Sequence, residues 1–377
     1  MKNSIKKILI AHSSNDLYGA SKVLISIIDI FIKNGFKVYL ILPNDGPLNN
    51  NEIIKKTNLK TINLGVFRKK YLNIFGLINR LYFIFKSSLH IRKFLKANQI
   101  DLVYTNTSTL ISPSIAAKFT GIPSAFHIHE IPFGSKLYTK FLTNIFNLLS
   151  DKIIAVSNST RDFWIKKGVV NNKIMVINNG FNFDFSSIKK EVNDKVVFTS
   201  ISRIIPYKGH LFLIELFNKI LKERKDVILQ IVGDTLPYYE NYFNKLKSKV
   251  KGYKIEKNII FLGHRNDIKS ILYQSDFFIH SPITPDPFPT VIFEAIESKT
   301  PVVFSDNGGA SEILNQSQNG LLIDHNDIKK STQLILNYID DIDLQKRNID
   351  NAVKFISDNF KIQIFSKKLN SLISSFE

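Results

Sequence analysis

The chain reads as an α/β protein built from two Rossmann-like domains. Three observations predict this: its length, a repeated alternation of short apolar runs with helical patterns, and a polar break at 182–194 beyond which a second such series begins. At 377 residues it exceeds what one hydrophobic core usually organises, so two domains of about 150 to 200 residues are expected. Short uninterrupted apolar runs are the pattern of strands buried on both faces, as in a parallel sheet covered by helices on each side.

Lys7 to Ala11 and Lys37 to Leu42 read as buried strands around a helical segment from Ala20 to Lys33, a βαβ unit. Asp101 to Thr105, Ser124 to His127 and Lys152 to Val156 continue the first sheet. The turn-prone Asn178-Asn-Gly180-Phe-Asn182 ends this domain, which is set at 1–184. Val196-Val-Phe-Thr-Ser-Ile-Ser202 opens the second, 185–355. Its further strands are Ile228 to Val232, Ile259 to Leu262, Phe277 to His280 and Val302 to Ser305, alternating with helical segments such as Leu211 to Leu221 and Asp267 to Gln274. A last helical stretch, 356–377, has its apolar pattern between about Ile362 and Phe376.

The chain has no cysteine, which excludes disulfides and thiolate metal sites and fits a reducing compartment. The apolar run Ile8-Leu-Ile-Ala11 meets His12 too soon to act as a signal-peptide core, and no stretch reaches 18 uninterrupted apolar residues. A cytoplasmic location is therefore expected. The net charge of +19 is uneven: residues 1–185 carry 25 Lys/Arg against 9 Asp/Glu, and residues 186–377 carry 26 against 23. Arg68 to Lys96 concentrates the excess, with Arg68, Lys69, Lys70, Arg80, Lys86, Arg92, Lys93 and Lys96 around the apolar residues Tyr71, Leu72, Ile74, Phe75, Leu77, Ile78, Leu81, Tyr82, Phe83, Ile84 and Phe85 and no acid. Such a segment suits an amphipathic helix resting on an anionic bilayer. The competing reading is a solvated helix whose apolar side belongs to the core.

The motifs with chemistry lie mostly in the second half. Asp286-Pro-Phe-Pro-Thr-Val-Ile-Phe-Glu294 separates two carboxylates by seven residues, and Pro301-Val-Val with Gly308-Gly309-Ala-Ser-Glu312 follows. Pro289 suits the first turn of a helix. Asp286 is thus expected in a mobile loop and Glu294 about two turns inside the helix. The free N–H groups of that helix start, near Phe288, Pro289 and Thr290, attract phosphates. Arg203 and Lys208, on the loop after the strand ending at Ser202, put two cations where open α/β sheets bind ligands. Gly233 and Arg265 follow neighbouring strands. In the first domain Gly19 opens the first helix, where it lets backbone approach a ligand. His127 and His129 end a strand, without a third ligand for a metal, so no metal site is expected.

In this order the segments resemble the signatures of retaining GT-B glycosyltransferases of family 4. The resemblance runs over nearly the whole chain: the carboxylate pair with Pro301-Val-Val and Gly308-Gly309-x-x-Glu312, Arg203 with Lys208-Gly209, Asp151-Lys-Ile-Ile-Ala-Val-Ser157, and Asn179-Gly180. Asp286 stands where the family has Glu, and Tyr18 replaces the first glycine of the family's Gly-Gly-Ala segment around Gly19-Ala20-Ser21-Lys22.

The resemblance implies a GT-B fold whose last helix returns to the first domain, and retaining transfer of a sugar from a nucleoside-diphosphate donor to a hydroxyl acceptor. By the same resemblance Glu294 serves the ribose and Asp286 the sugar hydroxyls. Arg203 and Lys208 hold the diphosphate, while Gly19, Gly233, Arg265 and Glu312 line the donor site. Either His127 or His129 would lie near the donor sugar and acceptor. No metal or other cofactor is implied. With the basic front half, the expected acceptor is a lipid-linked or cell-envelope glycan such as lipopolysaccharide or capsule, met at the inner face of the cytoplasmic membrane. A sugar-nucleotide epimerase and a non-catalytic polyanion-binding protein are the alternatives, though no nucleic-acid partner is expected, because charge alone leaves the second-domain motifs unexplained.

Overall fold

The computed structural model describes residues 4–67, 73–132, 134–186, 194–315 and 318–377. The chain divides into two compact units, one formed by Met1–Gly180 with Ile362–Glu377, the other by Phe181–Lys361.

In the first unit the order is β1 (Lys7–Ala11), α1 (Gly19–Lys33), β2 (Lys37–Leu42), α2 (Glu52–Lys55), β3 (Asn58–Thr61), α3 (Ile74–Asn98) and β4 (Leu102–Thr105). It continues with α4 (Ser112–Thr120), β5 (Ser124–Ile128), α5 (Lys136–Leu149), β6 (Lys152–Ala155), α6 (Asn158–Lys166) and β7 (Ile174–Val176). The second unit holds β8 (Val196–Ile201), α7 (His210–Glu223), β9 (Val227–Val232), α8 (Glu240–Tyr253), β10 (Ile259–Gly263), α9 (Ile268–Gln274) and β11 (Phe277–His280). After these come α10 (Val291–Glu297), β12 (Val302–Ser305), α11 (Ala310–Ile313), β13 (Leu321–Ile323), α12 (Ile328–Asp340) and α13 (Ile342–Asn359). The last helix of the chain is α14 (Ile362–Ser374).

Both sheets are parallel and share one winding. Strand order is β3-β2-β1-β4-β5-β6-β7 in the first and β10-β9-β8-β11-β12-β13 in the second. Each sheet starts in the middle, winds to one edge, then crosses back. The connections therefore part company between β1 and β4, and between β8 and β11, and a crevice opens there at the carboxyl ends of the strands. These two switch points position everything that follows.

At the opposite sheet edge one device sets register three times. An aspartate just before a strand accepts the first N–H groups of the neighbouring strand: Asp101 Oδ2 from Lys6 and Lys7 (2.9 and 2.8 Å), Asp151 Oδ2 from Ser124 (2.8 Å), and Asp276 Oδ2 from Val197 (2.7 Å). Those N–H groups have no partner within the ladder, so a carboxylate there satisfies donors that would otherwise be lost.

The apolar strand runs supply the cores. Ile8, Ile10, Leu40 and Leu102 of the first sheet pack against Leu24, Ile27, Ile28 and Phe31 of α1. The same cluster takes Phe365, Leu369, Leu372 and Ile373 from α14, so the apolar face of the last helix belongs to the first unit's core. Leu369→Ala removes a fully buried side chain and should cost about 2–5 kcal/mol, read as a lower thermal unfolding midpoint. Exposed Lys367→Ala should leave it within about 0.5 kcal/mol.

Candidate functional site

The loops after β8 and β11 flank the second unit's switch point and are stitched to each other. Ile283 N–H donates to the Tyr207 carbonyl at 3.0 Å. Within this frame the Lys208 ammonium donates to the Asp286 carboxylate. The Asp286 side chain is only 10% exposed and that of Lys208 28%. His280 Nε2 lies 3.4 Å from the same carboxylate oxygen without forming a hydrogen bond to it.

The Asp286 backbone is tied down, where its loop position led to the expectation of a mobile one. Its N–H donates to the Asn307 carbonyl (3.0 Å) and its carbonyl accepts from Gly309 N–H (2.8 Å), forming a parallel bridge to Gly308. Gly308 has φ +104°, and a Cβ there would overlap Asp286 backbone atoms. The glycine turn is thus the surface on which the Asp286 backbone is clamped. Burial acts to raise the Asp286 pKa, but the Lys208 ammonium, helped by His280, overrides it and holds the carboxyl well below the usual range.

Glu294 also differs from expectation. Thr290 is the N-cap, α10 begins at Val291, and Glu294 falls in the first turn rather than two turns in. Pro289 precedes the cap and its carbonyl accepts from Ile292 N–H at 3.2 Å. The ring of Phe288 is buried against Phe293 and Phe360, with centroids 5.4 and 5.9 Å away, so it anchors α10 in the unit's interior. Glu312 lies in the first turn of α11.

Arg203 is exposed on the loop after β8, beside the turn after β9. Ser202 N–H donates to the Val232 carbonyl, Ile204 N–H to Asp234, and Gly233 N–H to Gly263 (3.0, 2.9 and 2.8 Å). Gly233 has φ +134°, and a Cβ would overlap the Ser202 carbonyl, so glycine is what lets the two loops lie together. Arg265, on the third loop of this row, forks onto Asp267 at 2.8 and 2.6 Å. The structure therefore brings Arg203, Lys208, Gly233, Arg265 and Asp286 to one sheet edge.

At the first unit's switch point a polar network replaces the ion pair. His12, after β1, shares its Nδ1 hydrogen with the Asn106 carbonyl after β4 (3.1 Å), and its Nε2 meets Ser21 Oγ at 3.2 Å, two residues inside the helix that Gly19 opens. His129 Nε2 donates to Asn106 Oδ1 at 2.8 Å, and Glu130 accepts from Thr107 Oγ1 (2.7 Å) and Ser108 N–H (3.1 Å). His127 is different. It lies wholly inside, with Nδ1 2.7 Å from the Tyr104 hydroxyl. His129 is the one joined to the loop residues. His12, Asn106 and His280 were not singled out from the sequence, where a lone histidine or asparagine at a strand end gives little signal.

The basic segment is α3 with the residues before it, of which Arg68, Lys69, Lys70, Tyr71 and Leu72 lie outside the described residues. The helix has two apolar faces. Ile84, Ile91 and Leu95 are buried in the unit, while Phe75, Ile78, Tyr82, Phe85 and Leu89, at helical spacing, are 45–87% exposed. Nearby on α5, Leu137, Phe141 and Leu148 are exposed too, and Phe67, buried beside Ile84, stacks on Tyr138 of the same helix at 5.6 Å. No helix among the described residues is long and apolar enough to cross a membrane.

Comparison with known proteins agrees along the chain. Residues 18–185 match the family model Glycosyltransferase Family 4, and residues 182–355 match Glycosyl transferases group 1. The chain is 27% identical over 382 residues to the UDP-Gal:alpha-D-GlcNAc-diphosphoundecaprenol alpha-1,3-galactosyltransferase of Escherichia coli, with 94% of each covered. Among solved structures, Anabaena HepE in complex with UDP-glucose matches with TM-score 0.82 and 24% identity over 98% of this chain and 99% of that one. The lipopolysaccharide outer core galactosyltransferase WaaB in its apo form gives 0.74 and 18%, over 98% and 99%.

Burial lowers the His127 pKa to about 3, against about 6.5 in an unfolded chain. The folded state therefore resists protonation. The associated stability is full above pH ~6.5 and declines as pH falls toward 3. Between pH 7 and pH 5, His127 alone should remove on the order of 2 kcal/mol of unfolding free energy. Urea titrations at both pH values check this, and His127→Gln, which keeps a partner for Tyr104, should shrink the difference by about that amount.

Proposed function

The chain belongs to glycosyltransferase family 4 and has the GT-B fold; from that premise we propose that it transfers a sugar from a nucleoside-diphosphate donor to a hydroxyl on a lipid-linked or envelope glycan, with retention at the anomeric carbon. The observation that carries the reading is the Lys208–Asp286 pair at the second unit's switch point, where a diphosphate and a sugar would sit side by side. Arg203 and Lys208 supply cations for the diphosphate, the developing charge of the leaving group. Asp286, its backbone clamped, accepts hydrogen bonds from sugar hydroxyls. Glu294, in the first turn of α10, accepts two from a vicinal ribose diol. The leaving phosphate takes the acceptor proton, so the reaction needs neither a side-chain base nor a divalent metal.

Fixed cations and carboxylates of this kind act because they are in place before charge develops. Losing about 3 kcal/mol of that stabilisation corresponds to roughly a hundredfold in rate. Glu294→Gln should therefore lower transfer about a hundredfold with an unchanged thermal midpoint. Lys208→Ala is a poorer probe alone because it strands a buried carboxylate; Lys208→Met with Asp286→Asn removes both charges and should lose transfer to a similar extent. Near-normal turnover in both variants, an inverted anomeric proton signal in the product, or loss of activity in EDTA would each contradict the reading. A sugar-nucleotide epimerase would instead convert the donor with no acceptor present.

For the acceptor, support comes from α3. An exposed stripe of Phe75, Ile78, Tyr82, Phe85 and Leu89 that runs into Lys93 and Lys96 has the chemistry of an anionic bilayer surface, where aromatic rings enter the interface and each nearby cation contributes about 1 kcal/mol. Co-sedimentation with liposomes should need anionic lipid, weaken with salt, and be lost when Tyr82 and Phe85 become Ser and Arg92 and Lys93 become Glu. Binding that ignores lipid charge, or survives those changes, would return the stripe to an ordinary solvated face.

A further inference from the structure

We propose that His280 is a positioning residue that takes over Asp286 when Lys208 turns to an anionic phosphate, so that binding of a nucleoside diphosphate is coupled to uptake of one proton. The inference rests on the reading above that Lys208 serves the diphosphate.

As the protein stands, the Lys208 ammonium is engaged by Asp286. A phosphate can recruit it only by drawing it away or sharing it. Lys208 can move, since its flexible side chain is 28% exposed. Asp286 cannot follow, because its backbone is bridged to Gly308 on both its N–H and its carbonyl. The departure of the ammonium would leave a carboxylate only 10% exposed without its charge partner, an arrangement folded proteins avoid.

His280 is placed to prevent this. It is the last residue of β11, fixed opposite Phe304 of β12, with a side chain 5% exposed and Nε2 3.4 Å from the Asp286 oxygen. That nitrogen has no hydrogen-bond partner among the described residues. The charged groups acting on the ring are Asp286 and Lys208. While Lys208 is present, burial outweighs the pull of Asp286 and, with a smaller push from the neighbouring ammonium, keeps the imidazole neutral. Once Lys208 swings away its repulsion goes, and an Asp286 carboxylate without its ammonium is left to pull on the ring against the desolvation cost. A proton from solvent then settles on Nε2 and closes the gap to the carboxylate. The interaction given up is the lysine–aspartate pair. Asp286 stays oriented for the sugar, and Lys208 is released to the diphosphate.

Titration calorimetry with UDP, GDP and ADP, run at pH 7 in two buffers of different ionisation enthalpy, counts the protons. For whichever nucleotide binds, wild type should take up more protons than His280→Asn, by up to one; the ligand's own protonation cancels in that difference. Wild-type affinity should weaken relative to the variant by up to tenfold per pH unit as pH rises. Asp286→Asn, which removes the charge that needs neutralising, should bind the nucleotide about tenfold tighter than wild type at pH 8 and lack the extra proton. It decides the matter alone if His280→Asn does not fold. Equal proton uptake in wild type and either variant overturns the proposal while leaving the donor site in place. Absence of binding by all three nucleotides overturns the donor-site reading and the proposal with it.

Discussion

The ion pair between Lys208 and Asp286 is the constraint around which the second unit's site is arranged. Burying a carboxylate to 10% exposure is unfavourable unless a partner compensates, and breaking such a pair by removing one member is strongly destabilising. The surrounding structure holds the partners in register: the loop after β8 is joined to the loop after β11, and the latter to the glycine turn after β12. Three sequence-distant segments thus converge on one carboxylate. A sugar-nucleotide site needs this rigidity, because groups held in place avoid reorganisation as charge moves to the leaving phosphate.

The first unit solves a different problem with the same sheet winding. Its switch point carries histidines, Asn106 and the Glu130 carboxylate in place of a lysine–aspartate pair. His129 and His12 meet at Asn106, one at the side chain and the other at the backbone, and burial keeps the His129 ring well below its ordinary pKa. Such a surface can orient hydroxyls without competing for phosphate charge, which suits an acceptor side. The apolar stripe on α3 belongs to this unit as well, so the features that favour a membrane-borne acceptor and those that suit hydroxyl recognition occur in one body.

Much of the fold was legible because parallel strands buried on both faces leave continuous apolar runs. Lys37–Leu42, Phe277–His280 and Val302–Ser305 are strands as read. The edge strands Asn58–Thr61, Ile174–Val176 and Leu321–Ile323 escaped notice, being short and, at Asn58–Thr61, largely polar. At the site, residue types were legible but their constraints were not. The lock on Asp286 comes from Gly308, 22 residues later, and only the folded sheet brings the two together. The start of α10 was misjudged because Pro289 sits ahead of the cap instead of inside the first turn. His280 reads as one more strand residue until Asp286 is placed beside it. On α3, composition could not separate an apolar face turned inward from one turned outward, and the helix has both.

The central claim is that the second unit is a built receptor for a sugar nucleotide, and a thermal-shift screen against UDP-, GDP- and ADP-sugars tests it most directly. A ligand at a hundred times its dissociation constant adds about 2.7 kcal/mol to the stability of the state that binds it, a rise of roughly 5 °C or more for a unit of this size. The account predicts such a rise with at least one sugar nucleotide, greatly reduced when Lys208→Met and Asp286→Asn are combined. A wild-type midpoint unmoved by every sugar nucleotide at millimolar concentration would contradict it.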